Sequence, residues 1–197
     1  MPTNSGIMDG EPLGFGGLFD KFNFIIPEYQ RDYEWDTDHI FTFYKDVKDE
    51  SVSGKQYFFG PIVLVSPDNS TSTKELIDGQ QRLTSASILA AVIADMIFNT
   101  QQQMSESIAK GIYRRIAIED ASGQWIPKIT PHDDSTLFYK KLLQIGKPDQ
   151  KMQAAKNDAK TDVEKSMCDA YQIFYKKLST DYNNTQGSID TNALNDL

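Results

Sequence analysis

Cysteine occurs once in this 197-residue chain, at Cys168, and histidine twice, at His39 and His132. A single thiol excludes an internal disulfide and any cysteine-built metal cluster. The two histidines lie far apart in unrelated contexts, so a histidine-ligated centre has little to draw on. His132, Asp133 and Asp134 follow Pro131; they read as a cap for the next helix, and by spacing alone as a weak metal candidate. Long apolar runs are also missing: no stretch approaches the roughly 20 apolar residues that cross a bilayer. The N-terminus lacks the basic and apolar regions of a signal peptide. The expectation is a cytoplasmic protein with no membrane contact. Positive charge is short too, with 20 Lys and Arg against 28 Asp and Glu, and residues 1–50 hold eleven acidic residues to four basic ones. That balance opposes broad binding to a DNA backbone. Local patches from Lys110, Arg114 and Arg115, or from Lys140, Lys141 and Lys147, remain, with solvated helix faces as the plainer reading.

What is present suits one sizeable core: 39% hydrophobic residues, with eleven Phe and nine Tyr. Glycines and prolines at Pro2, Gly6, Gly10, Pro12, Gly14 and Gly16 make residues 1–20 a flexible N-terminal arm. Phe22 to Ile26 reads as a first strand, ended by Pro27. Ile40, Phe43, Tyr44 and Val47 recur at helical spacing, which predicts a helix over 37–49 starting near Asp36. Tyr57 to Gly60 and Pro61 to Val65 form a broken apolar run suited to a strand bent at Gly60-Pro61, and Glu75-Leu76-Ile77 is its neighbour. From Leu83 to Ile97 apolar residues line both sides of a helix, which marks it as central. Further helices are expected over 105–118, around Leu137 to Leu142, and over 151–180, with a short strand at Trp125 to Ile129. Residues 21–100 thus read as an α/β core, 101–182 as a mostly helical extension packed on it, and 183–197 as a tail or linker stub.

Asp78-Gly79-Gln80-Gln81-Arg82 sits where alternating apolar residues give way to the helical pattern. That is a strand, a tight turn and a helix start. The N–H groups of a helix's first turn attract anions, and Gly79 lets the turn approach a phosphate closely. Arg82 then offers a planar guanidinium to two phosphate oxygens. Asp78 has three readings: it caps the helix, holds a divalent ion or orients a water. Gln80 and Gln81 bring neutral donors and acceptors for a base, a sugar or that water. A second constellation, Ile26-Pro27-Glu28-Tyr29-Gln30-Arg31-Asp32-Tyr33-Glu34-Trp35, falls on the loop after the first strand. Tyr29, Tyr33 and Trp35 either pack that loop or stack on a purine or flipped base, with packing the stronger reading for Tyr33 and Trp35. Gln30 and Arg31 have no obvious packing duty and are better candidates for a ligand. His39 is expected on the following helix in a structural or solvent-facing position. Asp46, later on it, is either a surface carboxylate or an anchor for Arg31 or Arg82.

The order of these motifs, with Tyr57-Phe58-Phe59-Gly60-Pro61-Ile62-Val63-Leu64 between them, resembles the DUF262 family. This is the N-terminal domain of GmrSD-type modification-dependent restriction enzymes and related phage-defence proteins. The resemblance is specific over residues 24–90 and weaker through Ser166 to Leu178. It implies a ParB/sulfiredoxin-like α/β core with a mixed sheet, in which Asp78, Gly79, Gln80, Gln81 and Arg82 match the nucleotide-binding and hydrolysis motif. Asp78, Gln81 and Arg82 would then be catalytic, with Asp78 also holding Mg²⁺. Tyr29, Gln30, Arg31, Gly79 and Gln80 would bind the nucleoside triphosphate. Relatives commonly add a C-terminal HNH-type nuclease domain, whose ligand set this chain lacks, so the nuclease would come from a further domain or a separate subunit. The leading expectation is an NTP-binding and hydrolysing regulatory domain that gates such a nuclease. The alternatives are a modified-DNA sensor without turnover and a protein-interaction module.

Overall fold

The computed structural model describes residues 11–55, 57–67, 72–100, 102–131, 135–182 and 190. Its architecture is mixed α/β. Helix α1 (Phe15–Lys21) leads into strand β1 (Asn23–Ile25), helix α2 (Thr37–Val52), strands β2 (Val63–Val65) and β3 (Thr73–Asp78), and the long helix α3 (Gln80–Asn99). Helix α4 (Ser105–Ile116), strands β4 (Ala117–Glu119), β5 (Trp125–Pro127) and β6 (Ile129–Thr130), and helices α5 (Ser135–Leu142), α6 (Pro148–Asp158) and α7 (Asp162–Tyr182) complete it. The main sheet has the order β2-β3-β1-β6. β1 runs parallel to both β3 and β6, while β2 is antiparallel to β3. β4 and β5 form a separate antiparallel pair.

Helix α3 is the axis of the core. Its residues Leu83, Ile88, Ala91, Val92, Ala94, Met96 and Ile97 are all buried, because α4 and α7 pack along it. Of the described helices only α3 is long and apolar enough to cross a membrane, and 83% of that stretch is buried inside the fold. Helix α2 starts where its composition says it should: the Asp36 carboxylate accepts the His39 backbone N–H at 3.0 Å, an N-cap.

Several local expectations are revised. The glycine-rich arm expected over residues 1–20 contains helix α1, although Gly16 and Gly17 disfavour a helix by roughly 1 kcal/mol each. Burial of Leu18 and Phe19, and ring contacts from Phe15 to Phe19 (4.8 Å) and Phe59 (5.7 Å), offset that cost. Residues 1–10 lie outside the described residues, as does nearly all of the expected tail. Tyr57 to Gly60 is not a strand. Tyr57 and Phe59 still alternate inward onto Phe43, leaving Phe58 82% exposed. Trp125 to Ile129 divides between two sheets, with Lys128 as the joint. The helical stretch expected over 151–180 is two helices. Between them, Thr161 Oγ1 accepts the Glu164 N–H and the Glu164 carboxylate accepts the N–H groups of Lys160 and Thr161, a capping box that starts α7.

Candidate functional site

The two sequence constellations meet at the N-terminus of α3. Strand β3 ends at Asp78, and Gly79 occupies the helix N-cap with φ +95°, a left-handed conformation that L side chains resist. A Cβ at this position would lie 2.3 Å from Ile62 Cδ1. Glycine is therefore required twice over, by its φ and by the approach of Ile62. Because Gly79 has no side chain, no side-chain acceptor caps the first turn of α3, and its leading N–H groups lack intrahelical partners.

Gln80 and Gln81 tie the 31–34 loop to this turn. Gln80 Nε2 donates to the Arg31 carbonyl at 2.7 Å, and Gln81 Nε2 donates to the Asp32 carbonyl at 2.7 Å. Gln81 Oε1 accepts the Glu34 backbone N–H at 3.0 Å. Three loop positions, 31, 32 and 34, are thus fixed by two side chains, both buried. Gln80 Oε1 is left without a hydrogen-bond partner among the described residues.

Arg82 points to the opposite side of the turn. Its guanidinium donates to the carbonyls of Phe59 and Pro61, the latter at 3.0 Å, and lies 3.4 Å from the Asp78 carboxylate. These contacts explain why the 57–61 segment leaves the sheet: its carbonyls serve a side chain, and Pro61 has no N–H for a ladder. Gly60, at φ +77°, permits the close wrap, since a Cβ there would lie 2.4 Å from Arg82 Nη1. A guanidinium carries five N–H donors, more than the three oxygens Arg82 contacts.

The remaining candidates divide between packing and exposure. Tyr33 is buried, its hydroxyl hydrogen-bonded to Ser85 Oγ at 2.7 Å, and burial pushes its pKa well above the ordinary phenol value. Trp35 packs on Phe43 and stacks on His39. Tyr29 is 71% exposed beside the turn closed by the Gln30 N–H on the Pro27 carbonyl. Gln30 is half-buried there. Arg31 is exposed, its guanidinium 3.5 Å from Glu34. Asp46 is exposed on α2. His39 Nδ1 contacts its own helix cap, Asp36, at 2.6 Å. The Asp36 carboxyl is held below the usual carboxylate range, chiefly by accepting the His39 N–H. The metal candidate at His132, Asp133 and Asp134 lies outside the described residues.

The donor set suits Mg²⁺ in one respect. That ion is commonly held by one or two carboxylates together with substrate phosphates, and Asp78, its side chain 60% exposed, is such a carboxylate beside an uncapped helix start. No group of three His, Cys, Asp or Glu residues comes together among the described residues. Four cations of the basic patches are engaged with carboxylates: Lys110 with Glu106, Arg114 with Glu119, Arg115 with Asp20 and Lys141 with Asp158.

Sequence reasoning missed a second polar centre, towards the C-terminal end of α3. Asp95 is fully buried. Its carboxylate accepts from Tyr113 Oη at 3.0 Å, the Gly146 N–H at 2.9 Å, Tyr171 Oη at 2.7 Å and the Lys151 ammonium. The signal was a lone carboxylate inside an apolar helix.

No curated protein matches the chain. Over residues 15–196 it matches the N-terminal domain of the GmrSD restriction endonuclease, and it belongs to that family.

Proposed function

We propose that the chain is the nucleotide-responsive domain of a restriction system, binding a nucleoside triphosphate at the start of α3 and using its hydrolysis to gate a DNA nuclease. The observation that carries this reading is the uncapped first turn of α3 beside the neighbouring Asp78 carboxylate and Arg82 guanidinium, the latter held against the Phe59 and Pro61 carbonyls. Phosphate oxygens would take the first-turn N–H groups, and Arg82, already fixed in orientation, would offset charge as the γ-phosphoryl group leaves. Asp78 would hold Mg²⁺, which when bound neutralises phosphate charge, or orient the attacking water. Gln81 keeps the loop carrying Tyr29, Gln30 and Arg31 at the rim. Family membership supports a nuclease supplied by a further domain or by a partner subunit, with modified DNA as the substrate of the whole system.

Titration calorimetry with the four NTPs and Mg²⁺ tests the reading. Binding is expected, with Arg82→Ala weakening it far more than Arg115→Ala, and turnover is expected to fall on replacing Asp78 or Arg82. Equal effects of the two arginine substitutions move the site elsewhere, and no binding by the folded chain rejects it. Purified residues 1–197 are expected not to nick modified or unmodified DNA.

A further inference from the structure

A small pocket lies on the face of the α3 first turn away from Arg82, among its lining residues Arg31, Asp32, Gln80, Thr84, Ser135 and Val163. It brings together the 31–33 loop, the starts of α3 and α5, and the first turn of α7. Its volume is about 20 Å³, room for one water-sized group and not for a ring. Gln80 is only 7% exposed. The orientation of its amide is set by chemistry: Nε2 faces the Arg31 carbonyl at 2.7 Å, where an amide oxygen would meet another acceptor. The unpartnered end is therefore the oxygen, Oε1. A buried acceptor left without a donor costs free energy on the order of 1–3 kcal/mol, so a group supplying an N–H or O–H is favoured here.

We infer that this pocket is a specificity subsite that receives a single hydroxyl or amino group of the bound nucleotide, with Gln80 Oε1 as its acceptor. The inference rests on the proposed nucleotide reading and divides the turn between two tasks. Phosphates occupy the Gly79 and Arg82 side, where donors are concentrated. The nucleoside presents one donor to the Gln80 side, where an acceptor is unpaired. Two parts of a nucleotide carry such a donor, a ribose hydroxyl and a base amine. The small pocket volume excludes entry of the whole base, so only the projecting group is read.

Calorimetry on the intact chain with Mg²⁺ distinguishes the sources. The ligands are the four ribonucleoside triphosphates, their 2′-deoxy and 3′-deoxy counterparts, and inorganic triphosphate. A ribose hydroxyl in the pocket makes one deoxy series bind about tenfold more weakly, the worth of one neutral hydrogen bond. A base amine instead separates the amine-bearing nucleotides from UTP by a similar factor, with no effect of deoxygenation. Gln80→Met is expected to erase whichever difference is found. It also removes the tie to Arg31, so Val163→Phe, which fills the pocket from α7 and leaves the α3 turn untouched, is the second variant. It too is expected to erase the difference, while inorganic triphosphate binds as before. Triphosphate binding with no discrimination among nucleotides, or discrimination that survives Val163→Phe, overturns the subsite and leaves the phosphate site standing. No binding of any triphosphate overturns both.

Discussion

Helix α3 carries two polar centres, one at its first turn and one at Asp95 towards its far end, and they are built on opposite terms. At Asp95 every valence is filled: four donors from α4, α6, α7 and the 146 turn converge on one buried carboxylate. At the N-terminus the arrangement is incomplete. Glutamine amides fix a loop, a guanidinium is held by carbonyls, and yet a helix start lacks a side-chain cap and an amide oxygen lacks a donor. Saturation is what a structural keystone needs, since any unmet group there would be a standing penalty. Unmet valences at a place otherwise rigid are what a ligand site needs. On the proposed reading, the contrast sets a structural centre against a ligand site on one helix.

The largest expected effect breaks the saturated end. Burial pushes the Asp95 carboxyl up and the Lys151 ammonium down, each partly countered by the other's charge. Both shifts favour the neutral forms, desolvation at each group outweighing the attraction of its partner. Removing one partner is a different matter. Lys151→Met strands a buried carboxylate, and urea unfolding is expected to show a loss of about 3–5 kcal/mol. Adding Asp95→Leu to that variant should restore part of the loss, though the Tyr171 hydroxyl then loses its acceptor, while Tyr113 Oη keeps the Gln144 carbonyl at 2.9 Å. A single variant that unfolds like the parent would show that the centre is not the keystone described.

Next in size is the loop tie. Gln81→Ala removes two hydrogen bonds to the backbone of Asp32 and Glu34, at about 1–3 kcal/mol. Hydrogen exchange should then accelerate over residues 30–35 while the helices α4 and α7 keep their protection. Acceleration spread evenly over the chain would mean that Gln81 supports the core at large, and the comparison between a local site and a global keystone would fail. Gly60→Ala is expected to cost about 1–2 kcal/mol from its left-handed backbone alone. The added Cβ also displaces the Arg82 guanidinium, so triphosphate affinity should fall together with stability.

The order of these effects also marks what the residues disclosed in advance. Helix α2 was legible because its periodicity and its cap, Asp36, agree, and α3 because it is apolar on all sides. That the two motifs lie together was implied by the resemblance, while the glutamine ties that join them depend on residues some fifty positions apart and were not legible locally. Helix α1 was hidden because Gly16 and Gly17 speak against it locally, and only aromatic burial decides the matter. The break before α7 was present in Thr161-Asp162-Val163-Glu164, a capping box within a helical stretch that was read as continuous. The fate of Tyr57 to Pro61 could not be read locally, since it depends on Arg82, more than twenty residues away. Asp95 depends on donors from three other helices and a turn, which no local pattern reveals.

The smallest effect tests whether a half-exposed polar tie behaves like either centre. Asp181 on α7 accepts from Tyr44 Oη at 2.7 Å and from the Lys48 ammonium at 2.8 Å, joining α7 to α2. Burial raises its pKa, but those two partners outweigh burial and hold the carboxyl below the ordinary range. A carboxylate with a lower pKa folded than unfolded stabilises the fold fully above the unfolded value, near 3.9, and that contribution fades as the pH falls through the folded value. Asp181→Asn is therefore expected to cost about 1 kcal/mol near neutral pH and progressively less as acid protonates the parent. Urea unfolding of both proteins from pH 7 down to pH 3 reads the difference directly. Stability curves that stay parallel across that range would show that Asp181 acts through packing and not through its charge.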